Sequence, residues 1–128
     1  MKNSITKLEP EINPTTFKDG RGIIKTYYPH ADSIKEWNYI ITNKGHIRGF
    51  HYHPEFDEYI MLVEGEGIYT EIINGNEVTT TVSSGECIHI PSGISHTLYP
   101  ITDCKMIAMI TKKWDDCETP LIKTVSHV

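Results

Sequence analysis

The stretch GHIRGFHYHPEFDEYIMLVEG, Gly45 to Gly65, places His51 and His53 one residue apart, with Glu58 five positions after the second. In an extended chain residues i and i+2 face the same side, with Cα atoms about 6–7 Å apart, so both imidazoles can reach one point. Pro54 ends that strand, and a short turn leads into EYIML. There alternation puts Glu58, Ile60 and Leu62 on one side. Two histidines and a carboxylate of this kind form a facial set that can hold a divalent metal and leave positions open. A fourth candidate ligand is His96, in GECIHIPSGISHTLYP, where Pro91 and Gly93 shape the turn that delivers it onto the next strand.

Outward from this stretch the chain keeps its strand character. WNYIITN (Trp37 to Asn43), EYIMLVEG (Glu58 to Gly65) and GIYTEII (Gly67 to Ile73) are rich in β-branched and aromatic residues. ECIHIP (Glu86 to Pro91), SHTLYP (Ser95 to Pro100) and CKMIAMIT (Cys104 to Thr111) continue the series. In EIINGNEVTTTV the Asn74-Gly75 pair supplies the positive φ angles that a type I′ hairpin requires. Only PHADSIKEW, Pro29 to Trp37, reads as helix, for about two turns. Short strands between regular turn signals predict an all-β sandwich or barrel.

The 128 residues suit one domain with a single core, and 38% hydrophobic with 23% charged residues is ordinary globular composition. A net charge of -5 without basic clusters leaves no nucleic-acid footprint, and no apolar run approaches the length of a membrane-spanning helix. MKNSITKLEPEINP lacks the apolar region of a secretory leader. Three cysteines (Cys87, Cys104 and Cys117) without CxxC spacing argue against a disulfide framework, so a cytoplasmic protein with free thiols is expected.

Gly45, His51-Tyr52-His53, Glu58 and Gly65 resemble the first motif of the cupin superfamily at every fixed position, and Gly85, Pro91, Gly93 and His96 resemble the second. The usual final Asn of the second motif is Pro100 here. The resemblance implies a single-domain jelly-roll barrel over residues 1–128, its metal-site core at 45–100. The implied ligands are His51, His53, Glu58 and His96, a set of three nitrogens and one oxygen that suits Zn, Fe(II), Mn, Ni or Cu. His30, His46 and His127 read as ordinary surface or core histidines.

A looser resemblance narrows the field, since the fold alone does not specify a reaction. FKDGRGIIKTYYP with IRGFHYH is similar to the nucleotide-sugar cupins, which include the dTDP-4-dehydrorhamnose 3,5-epimerases, the dTDP-sugar 3,4-ketoisomerases and the cupin domain of capsular-polysaccharide reductases. Asp19, Arg21 and Gly22 match their D-x-R-G, and Arg48, Gly49, His51 and Tyr52 match the epimerases' R-G-x-H-Y. The tail TKKWDDCETP resembles the acidic, aromatic segment after their last strand. The implied activity is epimerisation or keto migration on a nucleotide-linked or phosphorylated keto sugar, by proton transfer next to a carbonyl. Arg21 and Arg48 are candidates for the pyrophosphate, which a guanidinium fork binds bidentately, and Tyr52 is a further candidate for substrate contact.

Strand parity turns Arg48 away from His51, so either Gly49 permits a bulge or Arg48 serves a neighbouring subunit's site. In the metal-free relatives the histidine at the position of His51 is the base. A bound metal would instead occupy His51, and the base would be Glu58, His89 or Tyr99; without metal, His51 and His53 would be the acid/base pair. His89 lies between Ile88 and Ile90, where alternation can turn it into the barrel or out of it. The alternatives are an Fe(II) dioxygenase on the same ligands and a non-catalytic sugar- or acid-binding cupin. The resemblance also implies a homodimer.

Overall fold

The computed structural model describes residues 5–10, 18–29 and 33–124. The strands are β1 (Thr6–Lys7), β2 (Lys18–Asp19), β3 (Gly22–Ile23), β4 (Glu36–Thr42), β5 (Arg48–Tyr52) and β6 (Glu58–Glu64). They continue with β7 (Glu66–Ile73), β8 (Asn76–Ser83), β9 (Cys87–Ile90), β10 (Ser95–Pro100), β11 (Cys104–Ile110) and β12 (Ile122–Lys123). A 3-10 turn at Trp114–Asp116 follows β11. No α-helix occurs among the described residues, and none of their segments is a helix long and apolar enough to cross a membrane.

Two five-stranded antiparallel sheets make the body, one ordered β1-β9-β6-β11-β4 and the other β12-β5-β10-β7-β8, with β2 and β3 as a separate hairpin. This is the all-β architecture that the strand pattern predicts and the jelly roll that the cupin resemblance implies. The β7–β8 hairpin turns through Asn74 and Gly75 at φ 52° and 79°, both in the left-handed region that the type I′ turn demands.

The helix read at Pro29 to Trp37 is corrected: Glu36 and Trp37 begin β4, paired with Ile110 and Met109 of β11. Ladder hydrogen bonds to a neighbouring strand outweigh a two-turn helix, which is marginal by itself. His30 to Asp32, within that stretch, and Phe17 and His127 lie outside the described residues.

Alternation sorts the strands into an inner and an outer face. Leu62 of β6, Ile88 and Ile90 of β9, and Cys104 and Met106 of β11 meet Tyr69 of β7, Val82 of β8 and Leu98 of β10 between the sheets. Each such aliphatic side chain, fully buried, contributes roughly 1.5–3 kcal/mol relative to exposure. A second cluster forms on the outside of the first sheet, where Leu8, Tyr59 and Cys87 are covered by Tyr27, Ile34, Met61 and Met109. All three cysteines are free thiols.

Candidate functional site

The site begins with an irregularity in β5. His51 pairs with His96 of β10 and Gly49 pairs with Thr97, so Phe50 is an extra residue in the ladder. Gly49 has φ 131° and Phe50 has φ 54°. A Cβ on Gly49 would lie 2.4 Å from the His96 carbonyl oxygen and 2.6 Å from the Thr97 Cα, so the backbones approach as they do because this residue is glycine. The bulge shifts the parity of everything before it. Arg48 and His51 therefore open into the same cavity, which answers the parity objection within one chain.

That cavity, of about 360 Å³, lies between the sheets, and its wall includes Arg48, His51, His53, Glu58, Tyr69, His96 and Trp114. One ring nitrogen from each of His51, His53 and His96 falls within 4.8 Å of the others. Glu58 joins them: its Oε1 is 3.4 Å from His53 Nε2 and 3.6 Å from His96 Nε2. His53 and His96 are buried, and Glu58 is nearly so.

The far nitrogens of two of the rings are held by the backbone. His53 Nδ1 lies 2.9 Å from the Pro120 carbonyl oxygen and His96 Nδ1 lies 2.9 Å from that of Ile94. Imidazoles tethered in this way turn their other nitrogens toward a common point, as metal-ligating histidines do. Three ring nitrogens and a carboxylate oxygen fit a divalent cation.

Electrostatics separates the rings. Burial, then the neighbouring His96 and His53, lowers the pKa of His51 to about 4, and Glu58 only partly offsets this. Burial likewise lowers His96 against the pull of Glu58 and the Ile94 carbonyl. For His53 burial opposes the charge, but the hydrogen bond and charge of Glu58, with the Pro120 carbonyl, outweigh it and raise the pKa.

Arg48 stands at the rim. Its Nε donates to Thr42 Oγ1, and one terminal nitrogen donates to the Ile41 carbonyl at 3.2 Å, which fixes the guanidinium against β4. Its remaining N–H groups can meet an anion.

Four candidates are not brought to the wall of this cavity. Tyr52 lies between His51 and His53 on β5, pairs with Ile122, and is absent from the cavity wall. Tyr99 alternates with the buried Leu98 and Pro100 and is exposed, so it points outward. His89 takes the parity of Cys87, opposite to the core residues Ile88 and Ile90. Its ring stacks on Tyr59 at 4.7 Å, and its Nε2 lies 2.7 Å from Asp57 Oδ2 on the outside of the first sheet. Arg21 is exposed in the turn between β2 and β3, away from the cavity wall.

Two features of the site were not assigned to it from the sequence. Tyr69 and Glu71, on the inner face of β7, are almost wholly buried, and the Tyr69 hydroxyl donates to Glu71 Oε2 at 2.7 Å. Burial raises the Glu71 carboxyl above its ordinary range, and the Tyr69 hydrogen bond and His89 offset this only in part. Alternation within GIYTEII puts a carboxylate in phase with an apolar face, a signal that was available. The other feature is the segment after β11, which carries Trp114, Pro120 and Leu121 to the site. Trp114 and Leu121 line the cavity, and the Trp114 ring sits edge-on to His53 at 6.0 Å.

Among solved structures, a 3,4-ketoisomerase from Helicobacter canadensis shares the fold at TM-score 0.78 and 16% identity, over 95% of this chain and 92% of that one. QdtA, a 3,4-ketoisomerase from Thermoanaerobacterium thermosaccharolyticum, solved as a mutant in complex with TDP-4-keto-6-deoxyglucose, matches at TM-score 0.76 and 16% identity over 97% and 90% of the two chains. The 3,5-epimerase RmlC of Legionella pneumophila, in complex with dTDP-4-keto-L-rhamnose, matches at 0.72 and 18% over 93% and 71%. Among curated protein sequences none matches significantly. The cupin domain family matches residues 38–110, which span both motifs, the bulged strand and all four converging side chains. By that match, covering more than half of its length, this chain belongs to the cupin domain family.

Proposed function

We propose that this chain is a metal-binding isomerase or epimerase of a nucleotide-linked keto sugar, acting by proton transfer at the carbon beside the carbonyl. The observation that carries this reading is the convergence of His51, His53, His96 and Glu58 inside a cavity with Arg48 at its rim. The barrel around it is one shared with proteins solved in complex with TDP-4-keto-6-deoxyglucose and dTDP-4-keto-L-rhamnose. A cavity of about 360 Å³ suits a sugar ring, with the charged diphosphate outside it, where Arg48 stands.

His51, His53, His96 and Glu58 would hold the divalent cation, which would supply Lewis-acid polarisation of the substrate oxygen next to the reacting carbon. His51 suits a ligand better than a base. A ring whose pKa is about 4 is neutral at pH 7 and offers its lone pair to a cation, but lies well below the optimum for a general base. Of the three alternative bases, Glu58 alone lines the cavity. Its Oε1 faces His53 and His96, so Oε2 is the oxygen that would take the substrate proton and return it. Arg48 would bind the diphosphate through the N–H groups not used by Thr42 and Ile41.

A second copy of the chain is the partner we infer for the outside of the first sheet. Trp37, Tyr39 and Ile41 are exposed along the edge strand β4, beside a groove lined by Tyr59, Met61 and Met109. Contiguous apolar surface of this kind on an edge unpaired among the described residues favours self-association.

The direct test incubates the purified protein with TDP- and UDP-linked 4-keto-6-deoxy sugars in D₂O. Deuterium at the carbon beside the carbonyl is expected with at least one of them. No incorporation from any would sink the nucleotide-sugar reading.

A further inference from the structure

The segment between β11 and β12 is joined to the loop after β5 by two adjacent bonds. The Thr119 backbone N–H donates to Glu55 Oε2 at 2.6 Å, and the next carbonyl, Pro120, lies 2.9 Å from His53 Nδ1. Glu55 also receives Lys112 Nζ at 2.9 Å on its other oxygen, so its carboxylate bridges the start and the end of the segment. A residue before proline is confined to extended geometry, which keeps Thr119 and Pro120 in a fixed relation. Two residues on one side, His53 and Glu55, thus grip two on the other. The pairing of β12 with β5 and the Thr124 N–H to Phe50 carbonyl bond secure the chain beyond.

The grip matters because His53 lies between two acceptors. Glu58 Oε1 is 3.4 Å from Nε2, and the Pro120 oxygen is 2.9 Å from Nδ1. A neutral imidazole has one N–H, and its position follows the hydrogen bond that wins. A carboxylate is intrinsically the stronger acceptor. If Glu58 won, the Nε2 lone pair would be lost to the cluster. We infer that Glu55 is a positioning residue, which by clamping Thr119 holds the Pro120 carbonyl on His53 and keeps the neutral ring as the Nδ1–H tautomer, its Nε2 lone pair facing His51, His96 and Glu58. This role concerns the imidazole cluster itself and does not depend on which substrate, if any, the cavity takes.

The test is long-range ¹H–¹⁵N NMR of the metal-free protein under alkaline conditions, where the histidines are neutral. Wild type is expected to show His53 as Nδ1–H. Glu55→Ala, which loses the acceptor for Thr119, is expected to shift the tautomer ratio toward Nε2–H by about tenfold, the scale of one hydrogen bond. Thr119→Pro, which deletes the donor and leaves Glu55 in place, is expected to do the same. Glu55→Gln, which keeps a carbonyl acceptor, is expected to retain Nδ1–H, and so is Lys112→Ala. A merely structural role for Glu55 would not move the tautomer while the barrel amide spectrum stayed native. His53 found as Nε2–H in wild type, or still Nδ1–H in both Glu55→Ala and Thr119→Pro, would overturn the assignment.

Discussion

Arg48 and His51 open into one cavity although three positions separate them on β5, because Phe50 is an extra residue in the ladder with β10. The bulge depends on Gly49, whose added Cβ would meet the His96 carbonyl at 2.4 Å. Gly49→Ala is expected to destabilise the fold by about 2–4 kcal/mol, the scale of forced backbone strain at a packed position. Urea unfolding measures this. A loss below half a kcal/mol would show that the strands move apart freely.

If Arg48 binds the diphosphate, Arg48→Ala is expected to raise KM for a TDP-linked keto sugar roughly 10- to 100-fold, the value of one or two charge-assisted hydrogen bonds. The kcat should change much less, because that contact is made equally in ground and transition states. A fall in kcat with KM unchanged would place Arg48 in the chemistry instead.

Metal uptake is the next expectation. The purified protein should bind one divalent cation per chain. At a free concentration a hundred times Kd, binding adds about 2.7 kcal/mol to stability, read as a rise in Tm. His96→Ala and Glu58→Gln should each abolish the rise, with elemental analysis as the independent measure. Equal Tm with and without Zn, Mn, Ni, Fe(II) and Cu would remove the metal from the proposal.

Glu71 predicts a pH dependence. Its pKa is raised in the fold, so the stability it contributes is fully present below its unfolded pKa and is lost as pH rises through the folded value. Glu71→Gln keeps an acceptor for the Tyr69 hydroxyl and removes the proton equilibrium. Wild type and variant should be similar near pH 4, with the variant the more stable of the two at pH 8. Parallel stability curves across that range would show that the buried carboxyl costs nothing to ionise.

For the homodimer, Trp37→Glu combined with Tyr39→Lys should give a folded monomer in sedimentation, while wild type sediments as a dimer. Both side chains are more than half exposed, so the pair can change without opening the core. A wild-type monomer at micromolar concentration would exclude this interface.

Much of the site was legible because short-range rules govern it. Alternation put Glu58 in phase with Ile60 and Leu62, and Glu58 and Ile60 both line the cavity. The same rule, applied more strictly, sends Tyr52 away from His51 and Tyr99 away from His96, as the strands do. His89 was open on local grounds, since apolar residues occupy both faces of CIHI. Only its neighbour Tyr59 and its partner Asp57, thirty-two positions away, show which face is out.

Strand period and turn chemistry, which act over a few residues, set most of the strands, the Asn74-Gly75 hairpin and the shared face of His51 and His53, while the cupin resemblance implied that Glu58 and His96 join them. The tertiary structure decided what depends on distant backbone. The bulge that turns Arg48 inward is seated against His96 and Thr97, nearly fifty residues away. The tautomer-setting carbonyl of Pro120 reaches His53 across sixty-seven. The pairing with β11 made strand of Glu36 and Trp37, where local pattern alone read helix. A residue's own neighbours set which way its side chain alternates; the strand or segment packed against it sets where that side chain ends up and which proton it holds.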